Sequence, residues 1–164
     1  MIFRSARLYT RFFTMDDLDV FFSLNGDENI VRYIRAPKIY EECRGFLEQI
    51  IGWYNDSPVN WRVALAAADS DEVIGSFAII PLAGTQDLQL GYSLLAEHWG
   101  KGYATEISLA GASYAFGPLG LNTITAITDA ANIASQNVLL KSGFHLEDEY
   151  EDKEKLLHRY RLNK

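Results

Sequence analysis

The residues whose types and spacing could do chemistry gather between positions 91 and 105, and again between 132 and 143. In the first stretch, Gly91-Tyr92-Ser93-Leu94-Leu95 reads as the end of a strand. Ala96-Glu97-His98-Trp99-Gly100-Lys101-Gly102 follows as a short turn holding two glycines, and a helix starts directly after it. The first amides of a helix have no internal partner and carry the positive end of its dipole. Glycines without a Cβ let an anion reach that backbone closely, and a pyrophosphate is the natural ligand for such a turn. The same spacing also suits a plain strand-to-helix turn whose glycines supply geometry alone. Two nucleotide motifs are excluded. The third glycine of the dinucleotide fingerprint is missing after Gly100-Lys101-Gly102, and no string of Gly, four residues and Gly-Lys-Ser/Thr occurs.

In the second stretch Asn132 is a good N-cap, Ser135 falls in the first helical turn, and Gly143 is a left-handed stop. Elsewhere the chemistry-bearing residues read as structural. Cys43 is alone and sits in a helical pattern. His98, His145 and His158 lack metal spacing, and Trp53, Trp61 and Trp99 suit a core or a pocket wall. The acidic run Glu147-Asp148-Glu149-Tyr150-Glu151-Asp152-Lys153-Glu154 reads as a solvated turn.

The elements that position these residues follow from periodicity. Ala6 to Phe13 reads as a strand. Thr14 with Asp17 opens a helix carrying Leu18, Phe21, Phe22 and Leu24 on one stripe, and Glu41 to Tyr54 forms a second. The period then changes to two, giving strands at Trp61 to Ala67, Val73 to Ile80 and Leu88 to Leu95. A helix from Thr105 to Phe116, full of small residues, can sit close to a sheet. Asn122 to Thr128 is a β-branched strand, Asn132 to Lys141 a helix, and Phe144 to Tyr150 and Lys155 to Leu162 the last strands. Pro37, Pro58, Pro81 and Pro118 fall in expected connections. Strands in runs, mixed with crossovers, predict an α+β fold: one mixed sheet with helices on both faces.

Composition bounds the rest. The chain has 164 residues, 48% apolar and 23% charged, with a net charge of −7. Such a chain buries roughly two-thirds of its unfolded surface without staples. A single cysteine gives no internal disulfide, and no apolar run approaches the ~18 residues of a membrane span. The first residues lack the apolar core of a signal peptide. The expectation is one cytoplasmic domain over residues 1–164, monomer or homodimer, with no metal, no membrane and no nucleic-acid partner. A pI near 4.9 agrees with the last of these.

Taken together, Gly91-Tyr92 through Trp99-Gly100-Lys101-Gly102-Tyr103-Ala104-Thr105-Glu106 resembles the acyl-CoA-binding loop of the GNAT acetyltransferase superfamily, in its RimJ/RimL-like branch. Gly120-Leu121-Asn122, Asn132 through Leu139, and Lys141-Ser142-Gly143-Phe144 extend the likeness, as do Leu8, Thr14-Met15-Asp16-Asp17 and Val31-Arg32-Tyr33. It covers nearly the whole chain. The superfamily loop Q/R-x-x-G-x-G/A aligns with Trp99-Gly100-Lys101-Gly102-Tyr103-Ala104, with Trp in place of Gln or Arg as is typical of that branch.

The resemblance implies a mostly antiparallel seven-stranded sheet and transfer of an acetyl group from acetyl-CoA, as cosubstrate, to a primary amine. That amine belongs to a protein N-terminus, a peptide or a small molecule, and it attacks the thioester directly. Backbone groups of Ser93, Leu94 and Leu95 would pair with the pantetheine arm, and Trp99, Gly100, Lys101, Gly102, Tyr103, Ala104 and Thr105 would cradle the pyrophosphate. Asn132 and Asn137 are further cosubstrate contacts, and Ser135 is the candidate acid for the leaving thiolate. Two departures bear on proton transfer. Leu139 stands where many members carry the acidic Tyr, and Gln89 where a Glu often serves as base. They leave room for an alternative, a non-catalytic acyl-CoA-binding sensor or interaction module. The net charge would favour cationic amines.

Overall fold

The computed structural model describes residues 1–55 and 61–164. Pro58, expected in a connection, lies outside the described residues, as does the side chain of Trp61. The elements run β1 (Leu8–Arg11), α1 (Leu18–Gly26), α2 (Glu28–Val31), α3 (Tyr40–Trp53), β2 (Trp61–Ala67), β3 (Val73–Pro81), β4 (Leu88–Leu94), α4 (Tyr103–Phe116), β5 (Thr123–Asp129), α5 (Ile133–Lys141), β6 (His145–Asp152) and β7 (Lys155–Asn163). The seven strands form one sheet in the order β1-β2-β3-β4-β5-β7-β6. Every pairing is antiparallel except β4 with β5. This is the expected α+β architecture.

Alternation along the strands divides the core in two. Val63, Leu65, Phe77, Leu90 and Ile124 face Ile107 and Ala115 of α4 and Leu139 of α5. Ala64 and Val73, on the other face, pack with Phe21 of α1 and Leu47 and Ile50 of α3. The small residues of α4 do bring it close to the sheet: a Cβ on Gly111 would overlap the Phe77 ring.

Some boundaries differ from the sequence reading, each for a local reason. β1 stops at Arg11 because the Phe13 amide donates to the Tyr54 hydroxyl (3.2 Å) instead of a strand neighbour. Pro81 ends β3 rather than beginning a connection. Helix α4 starts at Tyr103 because Gly102, at φ +80°, turns the chain and accepts from the Glu106 amide. The four-residue α2, capped by Asp27, had no periodic signal to reveal it.

Candidate active site

Strands β4 and β5 pair only at Gln89 and Thr125, where the Thr125 hydroxyl also donates to the Leu88 carbonyl at 3.0 Å. Beyond that point they part. A cavity of about 720 Å³ opens at the parting, lined by residues of β4 and β5, by Asn132 and Ser135, and by the segment from α1 to Arg35.

The ladder with β3 decides which groups of β4 face this gap. The Leu95 amide donates to the Ile74 carbonyl (2.9 Å), so by antiparallel alternation the amides of Ser93 and Gly91 also turn towards β3. The amides of Tyr92 and Leu94 therefore face the open side. Of the three backbone positions expected to pair with a pantetheine arm, Leu94 offers an open-side amide, and Tyr92 joins it. The Leu94 carbonyl is taken by the Trp99 indole N–H at 2.9 Å. Trp99 thus braces the end of β4 while its ring stays half exposed.

Across the gap the Tyr92 hydroxyl lies 3.2 Å from the Ser135 hydroxyl of α5. Burial pushes the Tyr92 phenol above its ordinary pKa, and the contact with Ser135 only partly offsets this, so Tyr92 holds its proton. Asn132 caps α5 as expected, its side-chain oxygen accepting the Ser135 amide at 3.1 Å. Asn137, on the same helix, is exposed and does not line the cavity.

At the head of α4, Gly100 and Gly102 both adopt positive φ, +73° and +80°. Among the described residues, no backbone N–H of residues 100–105 has an acceptor. The turn is held from behind. Glu106 accepts from the Ser5 hydroxyl, the Arg7 amide and the Arg7 Nε, each at 2.7 Å, and Arg7 Nη1 donates to the Lys101 carbonyl at 3.1 Å. Burial raises the Glu106 carboxyl, but these donors outweigh it and hold the group below the usual carboxylate range. The rigid, amide-lined turn fits a diphosphate, and the cavity between β4 and β5 fits the chain that would follow it.

The groups available for proton abstraction are few. Asp87 is bound to Arg161 at 2.8 Å, Glu97 is exposed, and Gln89 has no basic atom. The acidic run is exposed, as expected, but most of it lies on β6 rather than in a turn, and three of its carboxylates are paired: Glu147 with Arg161 (2.5 Å), Asp148 with Arg159 (3.5 Å) and Glu149 with His158 (3.0 Å). Cys43 is fully buried. Among the described residues no group of His, Cys, Asp and Glu could hold a metal, and no helix is long and apolar enough to cross a membrane.

Sequence reasoning missed Tyr92 as a functional side chain. Its signal was available, because alternation on β4 sends Tyr92 to the opposite face from Gly91 and Ser93, towards the helix that carries Ser135.

A sheet parted at β4 and β5, with a hydroxyl pair across the parting and an anion-ready helix start beside it, defines an acyl-CoA-dependent N-acyltransferase. The Acetyltransferase (GNAT) domain profile matches residues 7–145, and the chain belongs to that family; it is an acetyltransferase. It is 29% identical over 150 residues to the N-acetyltransferase YoaA of Bacillus subtilis (strain 168), covering 89% of this chain and 84% of that protein. A GNAT-family acetyltransferase structure from Bacillus anthracis superimposes with a TM-score of 0.87 at 20% identity, over 98% of this chain and 97% of that one. The Vibrio cholerae spermidine N-acetyltransferase, solved with CoA and spermine, shares the fold at a TM-score of 0.80 and 20% identity, over 96% of each chain.

Proposed function

We propose that residues 1–164 form one catalytic domain of the RimJ/RimL-like branch, which transfers the acetyl group of acetyl-CoA to a primary amine. The Tyr92–Ser135 hydroxyl contact carries this reading, because it offers proton donors in the gap between β4 and α5 that the proposed thioester would occupy. Trp99 and Ser135, at the positions that distinguish the branch, support the finer assignment. The likeness to a neighbour solved with CoA supports the cosubstrate.

Acetyl-CoA supplies the activated acyl group. The amides of residues 100–105 hold its diphosphate, and the helix dipole adds to their attraction. The open-side amides of Tyr92 and Leu94 bind the pantetheine arm, and one of them faces the thioester oxygen as its negative charge grows. Ser135 delivers a proton towards the sulfur as it takes one from Tyr92, and Tyr92 is reprotonated from water, which balances the proton the amine gives up. The amine enters from the α1–α2 side of the cavity, and its proton leaves to water or to Glu151 or Asp152, cavity-lining carboxylates without an ion pair among the described residues, since β4 itself carries no carboxylate.

Acetyl-CoA should therefore raise the melting temperature, and a panel of primary amines should trigger release of free CoA thiol. At a hundredfold excess over Kd the added stability is ~2.7 kcal/mol. A shift without thiol release from any amine supports the binding-module alternative. No shift at saturating acetyl-CoA removes both readings.

A further inference from the structure

The α1–α2 side of the cavity holds two arginines that the transfer chemistry does not use. Arg35 follows α2, its amide donating to the Val31 carbonyl at 3.0 Å, and Arg62 lies on β2; both line the cavity. Arg35 Nη2 donates to the Asn25 side-chain oxygen. Asn25 is buried and fixed in that orientation, because its own amide donates to the Phe21 carbonyl at 2.7 Å. Arg35 Nε is buried with no partner. The Arg62 guanidinium makes no hydrogen bond and no ion pair with any described residue, and its contact is the Phe46 ring, 5.8 Å away.

This is an anomaly of charge. The chain has 22 acidic residues against 15 Lys and Arg, and Arg7, Arg11, Arg44, Arg159 and Arg161 all have carboxylates within 4.0 Å. Among the described residues Arg35 and Arg62 have none; Arg4 and Arg32 have none either, but both are exposed, whereas Arg35 and Arg62 are half-buried. Burial lowers the pKa of both, and Arg62 is lowered further by the charge of Arg35, so the two repel each other. Like charges confined together without a counterion are costly unless a ligand supplies it.

Their place in the sheet says what that ligand must span. Arg62 pairs in register with Ala78, and Ala78 with Gly91, so the three share one row and one face. Two interstrand steps put the Arg62 Cα about 10 Å from that of Gly91. The intervening side chains are a methyl group and a hydrogen, which leaves the row open between the guanidinium and the reacting centre. Glu151 and Asp152 also line the cavity and have no ion-pair partner among the described residues, while Arg159, which lines it from the neighbouring strand, has Asp148 at 3.5 Å as its counterion.

We propose that the acetyl acceptor carries an anionic oxyacid group, a carboxylate or a phosphate, within a few bonds of its amine, and that Arg35 and Arg62 bind that group. The guanidinium fork matches either oxyacid in two parallel hydrogen bonds. The inference rests on the transferase reading and narrows it. It also reverses the preference that the net charge alone suggests, because polyamines would bring cations against the arginine pair.

The test compares matched acceptors: alanine against alaninamide, phosphoethanolamine against ethanolamine, and spermine as the wholly cationic case. Thiol release and calorimetric binding to the CoA-loaded protein are measured for the wild type, R35Q, R62Q and R62K. At least one anionic amine should exceed its uncharged partner tenfold or more in kcat/KM or in affinity. R62Q and R35Q should erase that ratio mainly through KM, and R62K should restore part of it. The alanine and phosphoethanolamine arms separate the two oxyacids. Preference for alaninamide, ethanolamine or spermine overturns the proposal, as does absence of binding by both anionic amines. So does loss of acetyl-CoA affinity itself in R62Q, which would give the arginine to a CoA phosphate. Failure of the wild type to bind acetyl-CoA instead overturns the transferase reading, and binding of the two anionic amines to the unliganded protein then decides this one.

Discussion

At Ser135 the backbone and the side chain do separate jobs. The amide satisfies the Asn132 cap, while the hydroxyl points across the gap to Tyr92. Ser135→Ala keeps the cap but takes the Ser135 partner from the buried Tyr92 phenol, and should cost about 1 kcal/mol of stability. Its rate effect should be modest, because Tyr92 remains as a donor. We expect kcat to fall about tenfold for Ser135→Ala and about a hundredfold for Tyr92→Phe, the low end of what a positioned acid contributes. The double variant should lose less than the product, since the hydroxyls act as a unit. Single-turnover rates and melting temperatures on the same preparations check this; full activity in Tyr92→Phe would leave the proton to water. Because the burial-raised phenol of Tyr92 does not ionise near neutrality, the rate should show no titration of the acid below pH 9.

At the scale of elements, glycine shows how one substitution changes sign with its neighbours. In α3, Gly45 has nothing within 4 Å of where a Cβ would sit, so Gly45→Ala should stabilise by up to ~1 kcal/mol through helix propensity. In α4, a Cβ on Gly111 meets the buried Phe77 ring, with Leu90 at 3.3 Å, so Gly111→Ala forces repacking. Overpacking costs ~1–3 kcal/mol, which outweighs the propensity gain. Thermal melts should move in opposite directions, and a rise for Gly111→Ala would mean that α4 can ride further from the sheet. The sequence carried this packing legibly, because a run of Ala, Ser and Gly can do little else on a helix that faces a sheet. The glycines at 100 and 102 were legible for the same reason, that side chains rarely adopt their φ. The gap between β4 and β5 was not, since it is a relation between strands whose pairing no local pattern encodes. Arg35 and Arg62 were hidden likewise: each reads as a surface cation until the sheet and α2 close around both.

Across the whole molecule, two carboxylates tie the N-terminal segment to the rest. Asp17 accepts both ends of the Arg11 fork (2.7 and 2.8 Å) and the Thr14 amide (2.9 Å), and Glu106 gathers Ser5 and Arg7 behind the anion-binding turn. In each, burial pushes the carboxyl up, but the donors prevail and its pKa lies below the unfolded value. A depressed folded pKa contributes stability that is complete above the unfolded pKa, near 4, and is lost as pH falls through the folded one. Unfolding free energy should therefore be flat from pH 7 to about 5 with respect to these groups and decline steeply below 4. Glu106→Gln should lower stability by ~1–2 kcal/mol at pH 7, an allowance that discounts the half-exposed Arg7. It should also shrink the acid-limb slope. Because Arg7 grips the Lys101 carbonyl, the same variant should weaken acetyl-CoA binding more than it weakens the fold. Denaturant melts from pH 7 to 3, paired with acetyl-CoA titrations of both proteins at pH 7, check the two effects. An unchanged acid limb in Glu106→Gln would show that the acid sensitivity resides at Asp17, and unchanged acetyl-CoA affinity would uncouple the N-terminal segment from the turn.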